Sequence, residues 1–399
     1  MASFSVDSVA EVRHTLGQHT AVTRAGNGDI LAMYGDFTDQ MEGQTGYLVR
    51  SRDGGESWGE PELALRPRWW RGGTHTSLGM QTLGDGRILL PWTHGESLKH
   101  NPTGRTRFVC MRSDDHGRSW QGWDEQAVPF HRVSPYGTIV ELADGTLLCP
   151  AHGQLGRDRG YLGTCFVLRS SDRGVTWGDH SFICHEHPNG ASETDVTVLP
   201  DGRLLALIRT VGLPDERPAS TGELPAPKVH WVDYAHSEDG GRTWSEPQRT
   251  DVVGQNMNAW VTAQGTLIAA CRGIDGTSLL REEQIRPASR RYSDQTGYGI
   301  HFFTAEAPAD GSRWRYRFTL PDPAGLRYSA HHQSGEPSMC NLPDGRVIVV
   351  YYSYDESIFC GLADENCLNP LIRAEMERIP HVFKRRPCRA MLTETADAG

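Results

Sequence analysis

The stretch S-R-D-G-G-E-S-W at residues 51–58 decides the fold, because the chain writes it again and again. It recurs as S-D-D-H-G-R-S-W at 113–120, S-S-D-R-G-V-T-W at 170–177 and S-E-D-G-G-R-T-W at 237–244. A fifth, damaged copy reads A-P-A-D-G-S-R-W at 307–314. Ser-x-Asp-x-Gly-x-[Ser/Thr]-Trp at a steady interval is an internal repeat. Gly55, Gly117, Gly174 and Gly241 permit a positive φ in a tight turn. The Asp two residues earlier is placed to accept hydrogen bonds from backbone N–H groups of that turn. The Trp supplies an apolar plate that pins the turn to its sheet. These positions read as folding devices.

A second repeat runs in step with the first: an apolar run, a Gly turn, and a β-rich run. Its copies are N-G-D-I-L-A-M-Y (27–34), D-G-R-I-L-L-P-W (85–92), D-G-T-L-L-C-P-A (144–151), D-G-R-L-L-A-L-I (201–208), Q-G-T-L-I-A-A-C (264–271) and D-G-R-V-I-V-V-Y (344–351). Their starts lie about 58, 59, 57, 63 and 80 residues apart. Six units of four short strands predict an all-β chain, a six-bladed β-propeller with one repeat per blade, spanning residues 1–399 as one domain. In unit three, strand A is expected over 136–142, B over 146–150 and C over 164–170, with D starting near Trp177. The sixth unit lacks a clear strand D after L-I-R-A-E-M-E-R-I (371–379). The N-terminal run Phe4–Val12 is placed to supply it and close the ring.

The composition fits a loop-rich globular chain: 44 Gly, 37% hydrophobic and 23% charged residues. A net charge of −10 argues against a nucleic-acid or membrane-surface partner. No run approaches the roughly 20 apolar residues of a membrane span. The N-terminus has neither a basic start nor an apolar core, so the expectation is cytoplasmic, with secretion from a longer precursor still open. The nine cysteines are scattered, and Cys110, Cys149, Cys165 and Cys271 sit in apolar runs as small core residues. Histidines 14, 19, 75, 94 and 152 show no metal-site spacing, so neither a metal nor another cofactor is expected. Oligomeric state is not legible.

In a propeller the starts of strand A surround the axis on the face that carries the long B–C loops. Counting back eight residues from each Gly turn gives His19, Ser77, Tyr136, Glu193, Asn256 and Glu336. Counting forward eight, to the end of strand B, gives Gly35, Thr93, His152, Arg209, Arg272 and Tyr352. Paired carboxylates perform acid/base or nucleophilic work on glycosidic bonds. Arg grips a carboxylate through two parallel hydrogen bonds. The first B–C loop adds Asp36, Asp39 and Glu42. Trp69 and Trp70 precede unit two on the same face and suit stacking on a sugar ring. Arg290, Arg291, His331 and His332 lie on loops of that face too.

The repeats resemble the Asp-boxes of the sialidase (neuraminidase) superfamily, whose fold is a six-bladed propeller. A sialidase Glu that opens strand A, with an Arg about sixteen residues on, is matched by Glu193 and Arg209 in S-E-T-D-V-T-V-L-P-D-G-R-L-L-A-L-I-R. In that family the Glu assists a nucleophilic Tyr, and the Arg belongs to a triad that holds the sialic-acid carboxylate. The family's acid/base Asp comes from the first B–C loop, which here offers Asp36 and Asp39. The chain also departs from the family. Q-H-T (18–20) stands in place of the R-I-P motif, and Glu336 stands where the nucleophilic Tyr opens unit six. The third Arg has three competitors in Arg272, Arg290 and Arg291.

Three functions fit these residues, all with a carbohydrate partner. The first is a sialidase-like exo-glycoside hydrolase acting on an acidic or unusual sugar. There Glu336 is nucleophile or base, Glu193 assists, Asp39 or Asp36 donates the proton, and Arg209, Arg272 and Asn256 bind. The second is a polysaccharide lyase on uronate chains, with His19, Tyr136 and Arg209 as base, acid and carboxylate clamp. The third is a glycan-binding propeller without catalysis.

Overall fold

Each repeat becomes one antiparallel sheet. The computed structural model describes residues 2–13, 17–35, 45–65, 72–76, 79–96, 105–156, 163–210, 230–273, 299–320, 335–354 and 385–396. The chain starts in β1 (Ala2–Glu11) and then builds blade one from β2 (Gln18–Arg24), β3 (Ile30–Gly35), β4 (Gly46–Ser51) and β5 (Leu63–Leu65). Blade two holds β6 (Gly72–Thr76), β7 (Gln81–Thr82), β8 (Ile88–Glu96) and β9 (Thr106–Ser113). Blade three holds β10 (Arg132–Pro135), β11 (Val140–Glu141), β12 (Leu147–Gln154), β13 (Cys165–Ser170) and β14 (Asp179–Cys184). Blade four is β15 (Ala191–Val198), β16 (Leu204–Thr210), β17 (Trp231–Ser237) and β18 (Gln248–Val253). Blade five is β19 (Gln255–Val261), β20 (Leu267–Gly273), β21 (Gly299–Ala305) and β22 (Trp314–Thr319). Blade six is β23 (Gly335–Asn341), β24 (Val347–Tyr354) and β25 (Arg385–Ala396), with β1 as its outermost strand. Ala2 pairs with Ala396 and Glu11 with Cys388, so the two chain ends share one sheet.

The apolar runs of strand B follow from burial on both faces. In β16, Leu204, Ala206 and Ile208 enter the core between blades three and four. Leu205 and Leu207, pointing the other way, enter the core between blades four and five. The same alternation sends Leu267, Ala269 and Cys271 of β20 to one side and Ile268 and Ala270 to the other. A strand buried on both faces has no polar side to show, so its sequence reads as a continuous run. Six such clusters fill the six gaps between blades. Cys110, Cys149, Cys165 and Cys271 are buried among them as free thiols.

A belt of side-chain-to-backbone hydrogen bonds joins the inner strands round the whole ring. Thr82 N–H donates to Thr23 Oγ1 (3.0 Å) between blades one and two, and Gly84 N–H to Glu141 Oε2 (2.7 Å) between two and three. Asp195 accepts from Thr138 N–H of blade three and Ala259 N–H of blade five, each at 2.8 Å. Asn258 Nδ2 donates to the Pro337 carbonyl (2.6 Å), and Val22 N–H donates to Ser338 Oγ (3.0 Å), which closes six on one.

The octapeptides behave as read. Asp53 Oδ1 accepts the N–H groups of Glu56 (3.1 Å) and Ser57 (2.9 Å), and Gly55 N–H donates to Ser51 Oγ (2.7 Å). The Ser57 hydroxyl and these N–H groups hold Asp53 at about 2. In the second to fourth boxes the indole N–H of Trp120, Trp177 and Trp244 donates to the carbonyl of the turn glycine. The fifth copy keeps that bond from Trp314 to Gly311 (2.8 Å).

Two expected boundaries are corrected. Strand A of unit three does not run unbroken over 136–142. It splits into β10 and β11, because Gly137 takes φ 83° and breaks the ladder. Strand B of that unit runs past Pro150 to Gln154, paired with β10 to its end and with β13 as far as His152. The stretch 371–379 lies outside the described residues.

Candidate active site

The axial end of strand A carries a bulge in four blades. In blade four Ser192 faces Arg209 and Thr194 faces Ile208, leaving Glu193 as the extra residue. The register slips in the same way after Gln18, Gln255 and Gly335, which face Gly35, Arg272 and Tyr352. The first residue of each bulge is left-handed and is not glycine: His19 (φ 54°), Glu193 (41°), Asn256 (57°) and Glu336 (51°). That conformation costs roughly 1–2 kcal/mol per residue. A bulge re-aims its side chain, and strain of this kind gathers at functional sites. The sequence places four different polar side chains on one repeated device.

These side chains meet across the ring. Asn256 of blade five donates from Nδ2 to the Tyr136 hydroxyl of blade three, skipping blade four. Glu336 of blade six accepts the His19 N–H at Oε2 (2.6 Å), and its Oε1 lies 2.9 Å from His19 Nδ1. Arg209 is ion-paired with Glu193 inside blade four. His152 accepts the Glu193 N–H at Nδ1 (3.1 Å), so that nitrogen carries the lone pair. His19, Tyr136, His152, Asn256 and Glu336 are all buried, and Glu193 and Arg209 are partly exposed.

Burial, and then the charges of Glu193 and Glu336, raise the Tyr136 phenol well above its ordinary value. The phenol stays protonated at neutral pH. Two carboxylates from different blades, Glu193 and Glu336, thus stand near one neutral hydroxyl, an arrangement suited to stabilising positive charge between them. Among the described residues no three His, Cys, Asp or Glu side chains converge as a metal site.

Of the sequence-expected residues, the structure brings together His19, Tyr136, Glu193, Arg209, Asn256 and Glu336, with His152 beside them. Arg272 ends its run opposite Gln255, the residue before Asn256. Tyr352 packs its hydroxyl against Gly335, where an added Cβ would sit 2.5 Å away. Asp36, Asp39, Glu42, Trp69, Trp70, Ser77, Arg290, Arg291, His331 and His332 lie outside the described residues. Sequence reading passed over Asp195, buried two residues beyond Glu193. Its signal was an acid at an inward position of the apolar run T-D-V-T-V-L.

Six blades, Asp-boxes and a polar axial cluster define a sialidase-superfamily propeller. The chain belongs to the BNR repeat-like domain family, whose profile matches residues 4–208 and again 135–339. It is 24% identical over 265 residues to the anhydrosialidase of Macrobdella decora, an alignment spanning 63% of this chain and 30% of that protein. A protein of unknown function from Dyadobacter fermentans superposes with a TM-score of 0.70 at 17% identity, covering 98% of this chain and 99% of its own. An α-L-arabinofuranosidase from Fusarium graminearum gives 0.60 at 12% identity, over 97% of each chain. A sialidase from Streptococcus pneumoniae gives 0.57 at 12%, over 95% of this chain and 68% of that one. At these identities the structural likeness is one of fold.

Proposed function

We propose that the protein is an exo-acting glycoside hydrolase that takes an acidic or otherwise uncommon terminal sugar into the axial site. The observation that carries this reading is the pair of carboxylates at the axial ends of strand A, Glu193 held by Arg209 and Glu336 held by His19, beside the buried Tyr136–Asn256 hydrogen bond. Glu336 is oriented by two contacts with His19, its backbone N–H on Oε2 and its Nδ1 beside Oε1. It acts as the nucleophile: its oxygen bonds the anomeric carbon as the glycosidic C–O bond breaks. The departing oxygen takes a proton from Asp39 or Asp36, on the loop that leaves β3. Water then reverses the step and frees the sugar. Glu193, ion-paired with Arg209, and the Tyr136 and Asn256 pair line the sugar's path. Arg272 and, from the loops, Trp69 and Trp70 complete substrate binding. The related sialidases and arabinofuranosidase support the class of reaction and leave the sugar open.

The test is a panel of aryl glycosides, with sialosides, arabinofuranosides and uronides side by side, using wild type and Glu336→Gln. Sugar release by wild type that falls at least about 1000-fold in the variant fits the reading. An unsaturated uronate product would mean elimination instead. No turnover with sustained glycan binding would mean a lectin-like propeller.

A further inference from the structure

We infer that Asp195 is a positioning residue for the axial site: its carboxylate clamps the Tyr136 segment and the Asn256 bulge to either side of Glu193. This rests on the hydrolase reading above. The side chain is 1% exposed and sits on the inner strand of blade four. Its Oδ1 accepts Thr138 N–H, two residues beyond Tyr136, and its Oδ2 accepts Ala259 N–H, three residues beyond Asn256. One carboxylate therefore serves two of the six blade junctions.

The fit around it is close on the blade-three side. Gly137 lies against it, and an added Cβ there would sit 2.6 Å from both Asp195 Cα and Oδ1. At the axis the same two flanking blades touch again, through Asn256 Nδ2 and the Tyr136 hydroxyl. Blades three and five are thus tied twice around Glu193, side chain to side chain at the axis and through Asp195 beneath. An alanine at 195 would leave the buried Ala259 N–H and the half-buried Thr138 N–H without their acceptor. An asparagine would keep one acceptor and turn an N–H₂ toward the other donor. Either change lets the Tyr136 segment and the Asn256 bulge shift, and displacement of a reacting group by about 1 Å lowers turnover about 100-fold.

Thr197 supplies the matched control. It lies two residues further along β15 and donates to the Ala259 carbonyl at 2.9 Å, joining blades four and five without touching blade three. The experiment compares Asp195→Asn and Asp195→Ala with Thr197→Val in kcat and KM per folded molecule, alongside hydrogen exchange of peptides covering 136–140 and 255–260. The expected result is a kcat loss of about 100-fold in the Asp195 variants, with KM nearly unchanged and faster exchange confined to those peptides. Thr197→Val keeps wild-type kcat. Equal kcat losses at Asp195 and Thr197, or unchanged kcat despite faster exchange, would overturn the assignment. A wild type that turns over no glycoside removes the hydrolase reading. The exchange data then decide the clamp alone: unchanged protection in the Asp195 variants would overturn it.

Discussion

Gly137→Ala probes how tightly the axial cluster is seated. Two costs add at this position. Alanine at φ 83° is strained by roughly 1–2 kcal/mol. Its Cβ would also stand 2.6 Å from Asp195 Cα and 2.8 Å from the Thr194 carbonyl, both backbone atoms that cannot rotate away. Overpacking of this kind costs about 1–3 kcal/mol. The sum is about 2–5 kcal/mol. At about 2.1 cal/mol/K per residue, a chain of 399 residues loses roughly 1.2 °C in Tm per kcal/mol, so the drop is about 2–6 °C. Gly145→Ala isolates the first cost, since Gly145 has φ 82° on the same blade and no atom within 4 Å of its added Cβ. Scanning calorimetry on the two variants separates strain from packing. A Gly137→Ala drop no larger than that of Gly145→Ala would refute the close seating of Gly137 on Asp195.

Other outcomes follow from the electrostatics. Hydrogen bonding, led by the Ser57 and Ser119 hydroxyls, holds Asp53 and Asp115 at about 2, so the stability they lend is present above pH 4 and is lost as pH falls toward 2. Thermal melts from pH 5 to 2.5 should fall less steeply in an Asp53→Asn/Asp115→Asn double variant, which starts lower. Burial pushes Asp195 up to about 7, so the folded chain binds a proton there that the unfolded chain releases between about pH 4 and 7. The stability from that proton is full at low pH and is lost as pH rises through 7. Denaturant titration should therefore show wild type gaining over Asp195→Asn by roughly 2–3 kcal/mol more at pH 5 than at pH 8. Arg209→Ala leaves Glu193 without its cation and should lower kcat/KM about 10- to 100-fold, with partial recovery in Arg209→Lys.

The fold was legible because each device is local and repeated. Ser51, Asp53 and Gly55 make their hydrogen bonds within one octapeptide, so a reader of residues sees the turn whole. Counting from the Gly turns found His19, Glu193, Asn256 and Glu336, since register fixes where strand A starts. Their left-handed bulges were not legible, because Glu gives no sign of a positive φ and Asn or His only favours one statistically. The role of Asp195 was not legible for a related reason, although its place in an apolar run marked it. Its partners, Thr138 and Ala259, donate through backbone N–H groups that leave no trace in residue identity. The pairing of Arg209 with Glu193 was not foreseen either. The two share a blade, yet the resemblance pointed Arg209 toward the substrate.

Covalent labelling tests the central claim most directly. An activated fluorinated glycoside of whichever sugar the protein releases, incubated with wild type and read by peptide mass spectrometry, should leave one glycosyl group on Glu336. The label should vanish in Glu336→Gln. A glycosyl group on Tyr136 or Glu193, or turnover of that sugar with no label at all, would contradict Glu336 as the nucleophile.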